Sequence, residues 1–131
     1  MFNRLTMRVL PPGPRYTAQL RLWVDGRDLV EETLGQGGRG PYAKWALPAD
    51  RPSPLSATSE GQRVGLGEPD CTGGCCGYLS VFVQRSGGVV EWSDWQVPYP
   101  EVPPPALHFD AEQYDAELAR AAADRWWEIY L

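Results

Sequence analysis

Apolar and polar residues alternate along residues 16–24, and this period of two predicts a half-buried strand. Its apolar face consists of Ala18, Leu20, Leu22 and Val24. Asp25 and Gly26 then supply a turn. Residues 27–34 predict a short element with Gly35 as a helical C-cap. The first third of the chain therefore combines a strand with a short helix.

The second half of the chain predicts a β-hairpin. Residues 77–85 are rich in β-formers, residues 86–88 provide a turn, and residues 89–95 return as the second strand. A short strand at residues 63–66 precedes them. Three proline-rich stretches separate these elements, and they are interpreted as a lead-in (1–15) and two long loops (48–62 and 98–105), of which 48–62 is expected to be the least constrained.

The last predicted element is an amphipathic helix that starts after Asp110. The Asp110 side chain can accept the first free amide protons, and Gln113 lies where a capping box would reach back to it. Phe109 and Tyr114 occupy the positions of a hydrophobic staple. Apolar residues then recur every three or four positions: Tyr114, Leu118, Ala122, Trp126 and Ile129.

These elements predict a single α+β domain over residues 1–131. The expected architecture is an antiparallel β-sheet with a C-terminal amphipathic helix packed on one face, joined by long Pro/Gly-rich loops. The length of 131 residues and the hydrophobic fraction of 43% fit one domain with its own core and exclude a disordered chain.

Charge and hydropathy exclude two classes of partner. The formal net charge is −5, with basic and acidic residues interspersed, whereas nucleic-acid binders gather positive charge on one face. No apolar run approaches the roughly 18 residues of a membrane span. Residues 1–14 lack the apolar region of a signal peptide. We therefore expect a cytoplasmic protein with neither nucleic acid nor membrane as a partner.

All three cysteines, Cys71, Cys75 and Cys76, lie in one glycine-rich segment, which makes it a candidate metal site. Zinc takes four ligands, so Asp70 or the single histidine, His108, would have to complete the set. Adjacent cysteines in extended chain point to opposite faces, and the C-x3-C-C spacing is not the C-x2-C of zinc ribbons.

A redox role for this segment would need a thiolate with a lowered pKa, and the acidic neighbours Glu68 and Asp70 act in the opposite direction. Free cysteines are also commonly buried as small apolar residues. We therefore expect no cofactor, and a zinc or redox site formed by Cys71, Cys75, Cys76 and His108 is the alternative.

Tryptophan and acidic residues occur together near the end of the hairpin. Trp92 and Trp95 are three apart, so on a regular strand one faces the core and the other faces solvent beside Tyr99; only a bulge would place both on one face. In the helix, Trp126 is expected to face inward and Trp127 outward. Exposed aromatic residues anchor protein interfaces, although a tryptophan lid over the sheet edge is an equal alternative. The predicted partner-binding residues are Trp92, Asp94, Trp95, Tyr99 and Trp127.

Motifs of catalysis are missing from the sequence. It contains no G-x-S-x-G elbow, phosphate-binding loop or H-E-x-x-H pattern. The lone His108 in a short apolar strand favours a structural role. The sequence therefore predicts a non-catalytic protein-binding domain, immunity- or antitoxin-like by analogy of size and charge alone. A metal or redox site at residues 71–76 is the alternative function. Small-molecule binding between the sheet and residues 36–62 also stays open.

Four phrases of the chain resemble a family of small uncharacterised bacterial proteins that is common in actinobacteria. They are VDGRDL at 24–29, the cysteine-glycine segment at 66–77, VEWSD at 90–94 and FDAEQY at 109–114 with Leu118. The family's segment reads Cys-x-Cys-Gly-x3-Cys. Here Cys71 and Cys76 match its last two cysteines, Pro69 replaces the first, and Cys75 is additional. The resemblance implies the fold outline and the host class but no reaction.

Overall fold

The computed structural model describes residues 1–14, 16–70, 77–99 and 101–130. Within them, two antiparallel sheets and a C-terminal helix confirm the predicted α+β class, with two sheets in place of one. The sheet orders are β1-β2-β3 and β4-β5-β6-β7. The elements are β1 (Leu5–Leu10), β2 (Gln19–Val24), β3 (Arg27–Asp28), α1 (Leu29–Leu34), α2 (Ala43–Ala46), β4 (Gln62–Gly67), β5 (Leu79–Ser86), β6 (Val89–Gln96), β7 (Leu107–Asp110) and α3 (Ala111–Ala123), followed by a 3-10 helix (Trp126–Tyr130).

The predicted lead-in contains a strand that the sequence analysis missed. Strand β1 pairs along its whole length with β2, from Leu5 opposite Val24 to Leu10 opposite Gln19. Leu5 and Met7 are buried in the core. The alternation of β1 covers only a few residues and runs directly into prolines, so the proline-rich composition concealed it.

Backbone pairing joins the two sheets at both of their edges. On one side, residues 39–42 lie between β2 and β4: Gln19 bridges Tyr42, and Arg39 exchanges two hydrogen bonds of 2.9 Å with Glu68. On the other side, the Asn3 N–H donates to the His108 carbonyl on β7 at 2.7 Å. We call residues 39–42 the closing segment. With the closing segment and Asn3 as links, the strands of the two sheets therefore form a closed, barrel-like ring of hydrogen-bonded neighbours.

Glycine is required where the closing segment passes its neighbours. A Cβ atom on Gly40 would lie 2.0 Å from the Leu20 carbonyl oxygen, and one on Gly67 would lie 2.6 Å from the Arg39 carbonyl oxygen. No side chain fits at such distances. The close approach of β2, the closing segment and β4 therefore depends on these two residues.

Helix α3 begins as predicted but uses Gln113 differently. Asp110 accepts a hydrogen bond from the Gln113 N–H at 3.2 Å, and the rings of Phe109 and Tyr114 lie 5.5 Å apart, which confirms the cap and the staple. The Gln113 side chain does not complete the capping box. It turns to β1, where Oε1 accepts the Leu5 N–H at 3.1 Å and Nε2 donates to the Leu5 carbonyl at 2.7 Å.

The next turn of α3 continues this pairing along β1. The Glu117 carboxylate accepts the Met7 N–H at 2.6 Å, and Arg120 donates to the Met7 carbonyl at 2.6 Å. An open strand edge is a template for association with other chains. Side chains of α3 thus satisfy backbone groups of β1 that face away from β2.

The end of α3 corrects the prediction for the two tryptophans near the C-terminus. The helix ends at Ala123, and Asp124 is extended, so the helical phase is lost before Trp126. Trp127 is fully buried and Trp126 is 42% exposed, the reverse of the expected orientation. Ile129 is also exposed.

A buried polar contact ties the long connection 48–62 to the core. The Trp92 indole N–H donates to the Tyr114 hydroxyl at 3.3 Å, and that hydroxyl donates to the Leu55 carbonyl at 2.6 Å. Burial raises the pKa of Tyr114 well above its ordinary value, so it stays a donor. Leu55 is fully buried. The connection 48–62 is therefore anchored to the core at Leu55.

None of the helices in the described ranges combines the length and the apolar character that a membrane crossing requires.

Candidate functional site

The predicted tryptophan patch is largely part of the core. Trp92 is fully buried, and Trp95 is partly buried, with its indole N–H donating to the Pro105 carbonyl at 3.0 Å. Trp127 is buried as well, which removes it as a surface anchor. Of the five residues predicted to bind a partner, only Asp94 and Tyr99 are exposed. The structure supports the lid alternative at this position.

A β-bulge explains why both tryptophans of the hairpin face the same side. Asp94 has a φ of 51°, and the register with β5 shifts at this point. The ring centroids of Trp92 and Trp95 lie 6.2 Å apart in an edge-to-face arrangement. Because a bulge inserts an extra residue, Trp95 returns to the face of Trp92.

The predicted metal ligands fall mostly outside the described residues. Cys71, Cys75 and Cys76 belong to that undescribed part of the chain. His108 lies on β7, as expected for a short strand, and its Nε2 is 2.8 Å from a carboxylate oxygen of Glu91. Among the residues that the structure describes, no three histidine, cysteine or acidic side chains come together as a metal site. The zinc or redox alternative at the cysteines stays a prediction.

Three exposed aromatic residues surround a cavity between residues 40–45 and the sheet, within the region where small-molecule binding stayed open. Tyr42 is 49% exposed, Trp45 is 41% exposed and Tyr78 is 56% exposed. The cavity has a volume of about 350 Å³. Its described lining, which we call the aromatic groove, consists of Gly40, Pro41, Tyr42, Trp45, Gly65, Gly67, Glu68 and Tyr78.

Local structure explains why these rings face outward. Tyr42 ends the closing segment and is the N-cap residue of α2. Ala43 and Ala46 bury the inner side of α2, which leaves Trp45 on its outer side. Tyr78 precedes the buried Leu79, so the alternation of β5 directs Tyr78 outward. Two elements far apart in sequence therefore supply the two walls.

Between these walls the lining is largely bare backbone. A Cβ atom on Gly65 would meet nothing within 4 Å, and Gly65 itself is exposed. Gly67 lies two residues further along β4, against the Arg39 carbonyl of the closing segment. Because these glycines lack side chains, a bound molecule can lie flat against the backbone while the aromatic rings contact it from the sides.

Electrostatically, the groove is apolar with one acidic group. Glu68 is the only charged residue of its described lining, and its Oε1 lies 3.0 Å from Nη2 of Arg39. The Arg39 guanidinium in turn stacks over the Tyr16 ring at 5.4 Å. The carboxylate is therefore held in place and remains 36% exposed.

The polar atoms of the groove aromatics differ from those of the core aromatics. Trp92, Trp95 and Tyr114 all use their N–H or O–H groups in hydrogen bonds inside the protein. The indole N–H of Trp45 and the hydroxyl groups of Tyr42 and Tyr78 make no such bond to any residue in the described ranges. Within the described part of the chain, these three polar groups therefore form no internal hydrogen bond and lie beside three exposed ring faces.

The comparisons with known proteins found no matching family model, no matching curated protein and no matching solved structure.

One signal in the sequence pointed to the groove. The alternation of residues 77–85 places Tyr78 on the outward face of its strand, opposite Leu79. Helix α2 is four residues long, which is too short to show a helical period, so nothing in the sequence places Trp45. The proximity of Tyr42 to Tyr78 follows from the closing segment, which only the fold reveals.

Proposed function

We propose that this chain is a non-catalytic protein-binding domain and that its partner contacts the aromatic groove. The observation that carries the proposal is the grouping of three half-exposed aromatic rings around a glycine-lined cavity. Contiguous patches of exposed apolar residues mark interaction sites, and tyrosine and tryptophan dominate the binding energy of interfaces. The proposed compartment is the cytoplasm, where cysteines stay reduced.

The chemistry of the groove favours binding over catalysis. Its described lining contains no histidine, serine, cysteine or lysine, and its one carboxylate is held by Arg39. Among the described lining residues there is thus no serine, cysteine or histidine to act as a nucleophile, and the one carboxylate is already paired with Arg39. It offers apolar contact area, hydrogen-bond donors and one negative charge, which are the requirements for recognising a protein segment. An immunity- or antitoxin-like partner is one instance of such binding.

A selection of random peptides displayed on phage tests this proposal without knowledge of the natural partner. The wild-type domain serves as bait, and a Trp45→Ala/Tyr78→Ala variant serves for counter-selection. We expect enriched peptides that bind the wild type and lose binding to the double variant. Trp126→Ala is the matched control, because Trp126 is 42% exposed and Trp45 is 41% exposed, but Trp126 lies outside the groove.

The selection decides whether the groove binds peptides. Peptides that depend on Trp45 and Tyr78 but not on Trp126 support the proposal. If repeated selections yield no peptide that distinguishes the wild type from the folded double variant, the groove is not a protein-binding site. Circular dichroism of the double variant establishes that it is folded, as expected for substitutions at exposed positions.

A further inference from the structure

Resting on the proposed function, we propose that the aromatic groove binds a proline-rich segment in the polyproline II conformation, with a basic residue of that segment directed to Glu68. This goes beyond protein binding in general, because it names the backbone conformation and the charge of the partner.

The aromatic walls fit a polyproline II helix. Tyr42 and Trp45 on one wall and Tyr78 on the other leave a cavity of about 350 Å³ that is open to solvent and lined with glycine backbone. Proline-rich segments dock in aromatic-lined grooves because their rings pack on aromatic faces and because their preformed helix loses little entropy on binding.

The hydrogen-bond donors of the groove fit the same ligand. A polyproline II helix makes no internal hydrogen bonds, so its carbonyl groups need donors from the solvent or a partner. The Trp45 indole N–H and the hydroxyls of Tyr42 and Tyr78 can supply them at the rim. Proline residues lack an N–H, so such a ligand needs few acceptors, and the described lining offers one acidic side chain.

Charge complementarity with Glu68 favours a basic residue in the bound segment. Glu68 is the only charged residue of the described lining, and the chain carries a net charge of −5. An arginine or lysine of the partner can share the Glu68 carboxylate with Arg39, because a carboxylate accepts several hydrogen bonds at once. An acidic chain also steers a basic segment toward the site, and added salt weakens this attraction.

The chain's own proline-rich loop is a weaker candidate for the occupant. Residues 98–105 contain five prolines, and their one charged residue is Glu101, which is exposed. In a second copy, this segment would bring a negative charge toward Glu68. The same charge argument that favours a basic segment therefore disfavours self-association through the groove.

Three synthetic peptides test the proposal by fluorescence anisotropy. The first carries prolines at every third position and an arginine at one end; the second replaces its prolines with alanine; the third replaces its arginine with glutamate. We expect the first peptide to bind most tightly and the other two to bind about tenfold more weakly or worse. Glu68→Gln should weaken the first peptide but not the third, and Trp126→Ala should change neither.

The controls separate this inference from the proposed function. Equal binding of the proline and alanine peptides, or groove-dependent selected peptides without proline, would overturn the inference while the binding function stands. A selection that yields no groove-dependent peptide would remove both. Self-association that Trp45→Ala abolishes, with none of the three peptides bound, would assign the groove to a second copy and overturn the inference as well.

Discussion

Trp92 and Trp95 lie on the same face of β6, with ring centroids 6.2 Å apart, although they are three residues apart in sequence. The left-handed backbone of Asp94, with a φ of 51°, makes this possible, because the bulge reverses the alternation of the strand. The ring of Trp92 also packs edge-to-face on Phe109, with 5.0 Å between the ring centroids. The tryptophan-rich phrase of the hairpin therefore closes the core instead of forming an exposed patch.

Asp94→Val should destabilise the domain by about 1–3 kcal/mol, because a β-branched residue strongly disfavours a left-handed backbone. Asp94→Asn is the matched control. Asparagine tolerates this conformation, and the ion pair that the substitution removes, from Arg63 to Asp94 at 2.7 Å, is largely exposed on the aspartate side. Urea unfolding, monitored by tryptophan fluorescence, measures the stability of both variants. Equal stability of the two variants would contradict the role of the bulge.

Trp127→Ala should lower the free energy of unfolding by about 3–5 kcal/mol, because it empties a fully buried position. Trp126→Ala should change it by less than about 1 kcal/mol, since much of that side chain already contacts water. Chemical denaturation of the two variants side by side is the measurement. A larger loss of stability for Trp126→Ala than for Trp127→Ala would contradict these positions and support the orientation predicted from helical periodicity.

Glu117→Gln should lower the free energy of unfolding by an amount that depends on pH. The hydrogen bond from Arg120, aided by the Met7 N–H, lowers the pKa of Glu117. A lowered pKa in the folded state stabilises the fold at pH values above the ordinary glutamate pKa of 4.5, and this contribution is lost as the pH falls through the folded-state pKa.

We therefore expect Glu117→Gln to cost about 1–3 kcal/mol at neutral pH and progressively less in acid. Urea unfolding at a series of pH values measures the difference from the wild type. Glu112→Gln is the control on the same helix, since Glu112 is exposed in its first turn and should have a small effect. A constant difference between Glu117→Gln and the wild type at all pH values would rule out this linkage.

Gly40→Ala should disrupt the closing segment, because its Cβ would lie 2.0 Å from the Leu20 carbonyl oxygen. The strands must separate to make room, and we expect a loss of about 3 kcal/mol or more, at the upper end for overpacking. Gly88→Ala is the control, since a Cβ there meets nothing within 4 Å and its φ is not positive. Thermal unfolding compares them, and an equally stable Gly40→Ala variant would argue against the close approach of β2 to the closing segment.

Local signals predicted much of the fold correctly. The strand at Gln19–Val24, the hairpin of β5 and β6 and the cap at Asp110 follow from alternation, turn residues and capping chemistry, all of which act over a few residues. Strand β1 was missed because its short alternation is followed at once by prolines. The end of α3 was missed because Asp124 interrupts a pattern that otherwise continues.

The candidate site was hidden from the sequence for a physical reason. Tyr42 and Tyr78 line the same groove only because the closing segment pairs with β4, through the long-range bridge of Arg39 with Glu68. Alternation along the strand assigns Tyr78 to an outward face, but nothing in the sequence places a second wall beside it. The predicted patch at Trp92 and Trp95 failed because a bulge, which the sequence analysis named as the exception, is present.

The central claim is that the aromatic groove is the binding surface, and the indole N–H signals of the six tryptophans test it most directly by NMR. Titration with the proline- and arginine-containing peptide should shift the signal of Trp45 and leave those of Trp126 and the buried Trp92 and Trp127 in place. Loss of the shift in Tyr78→Ala would confirm the two-walled site. A shift of Trp126 with an unchanged Trp45 signal, or an unchanged Trp45 signal while fluorescence anisotropy shows that the peptide is bound, would contradict the account.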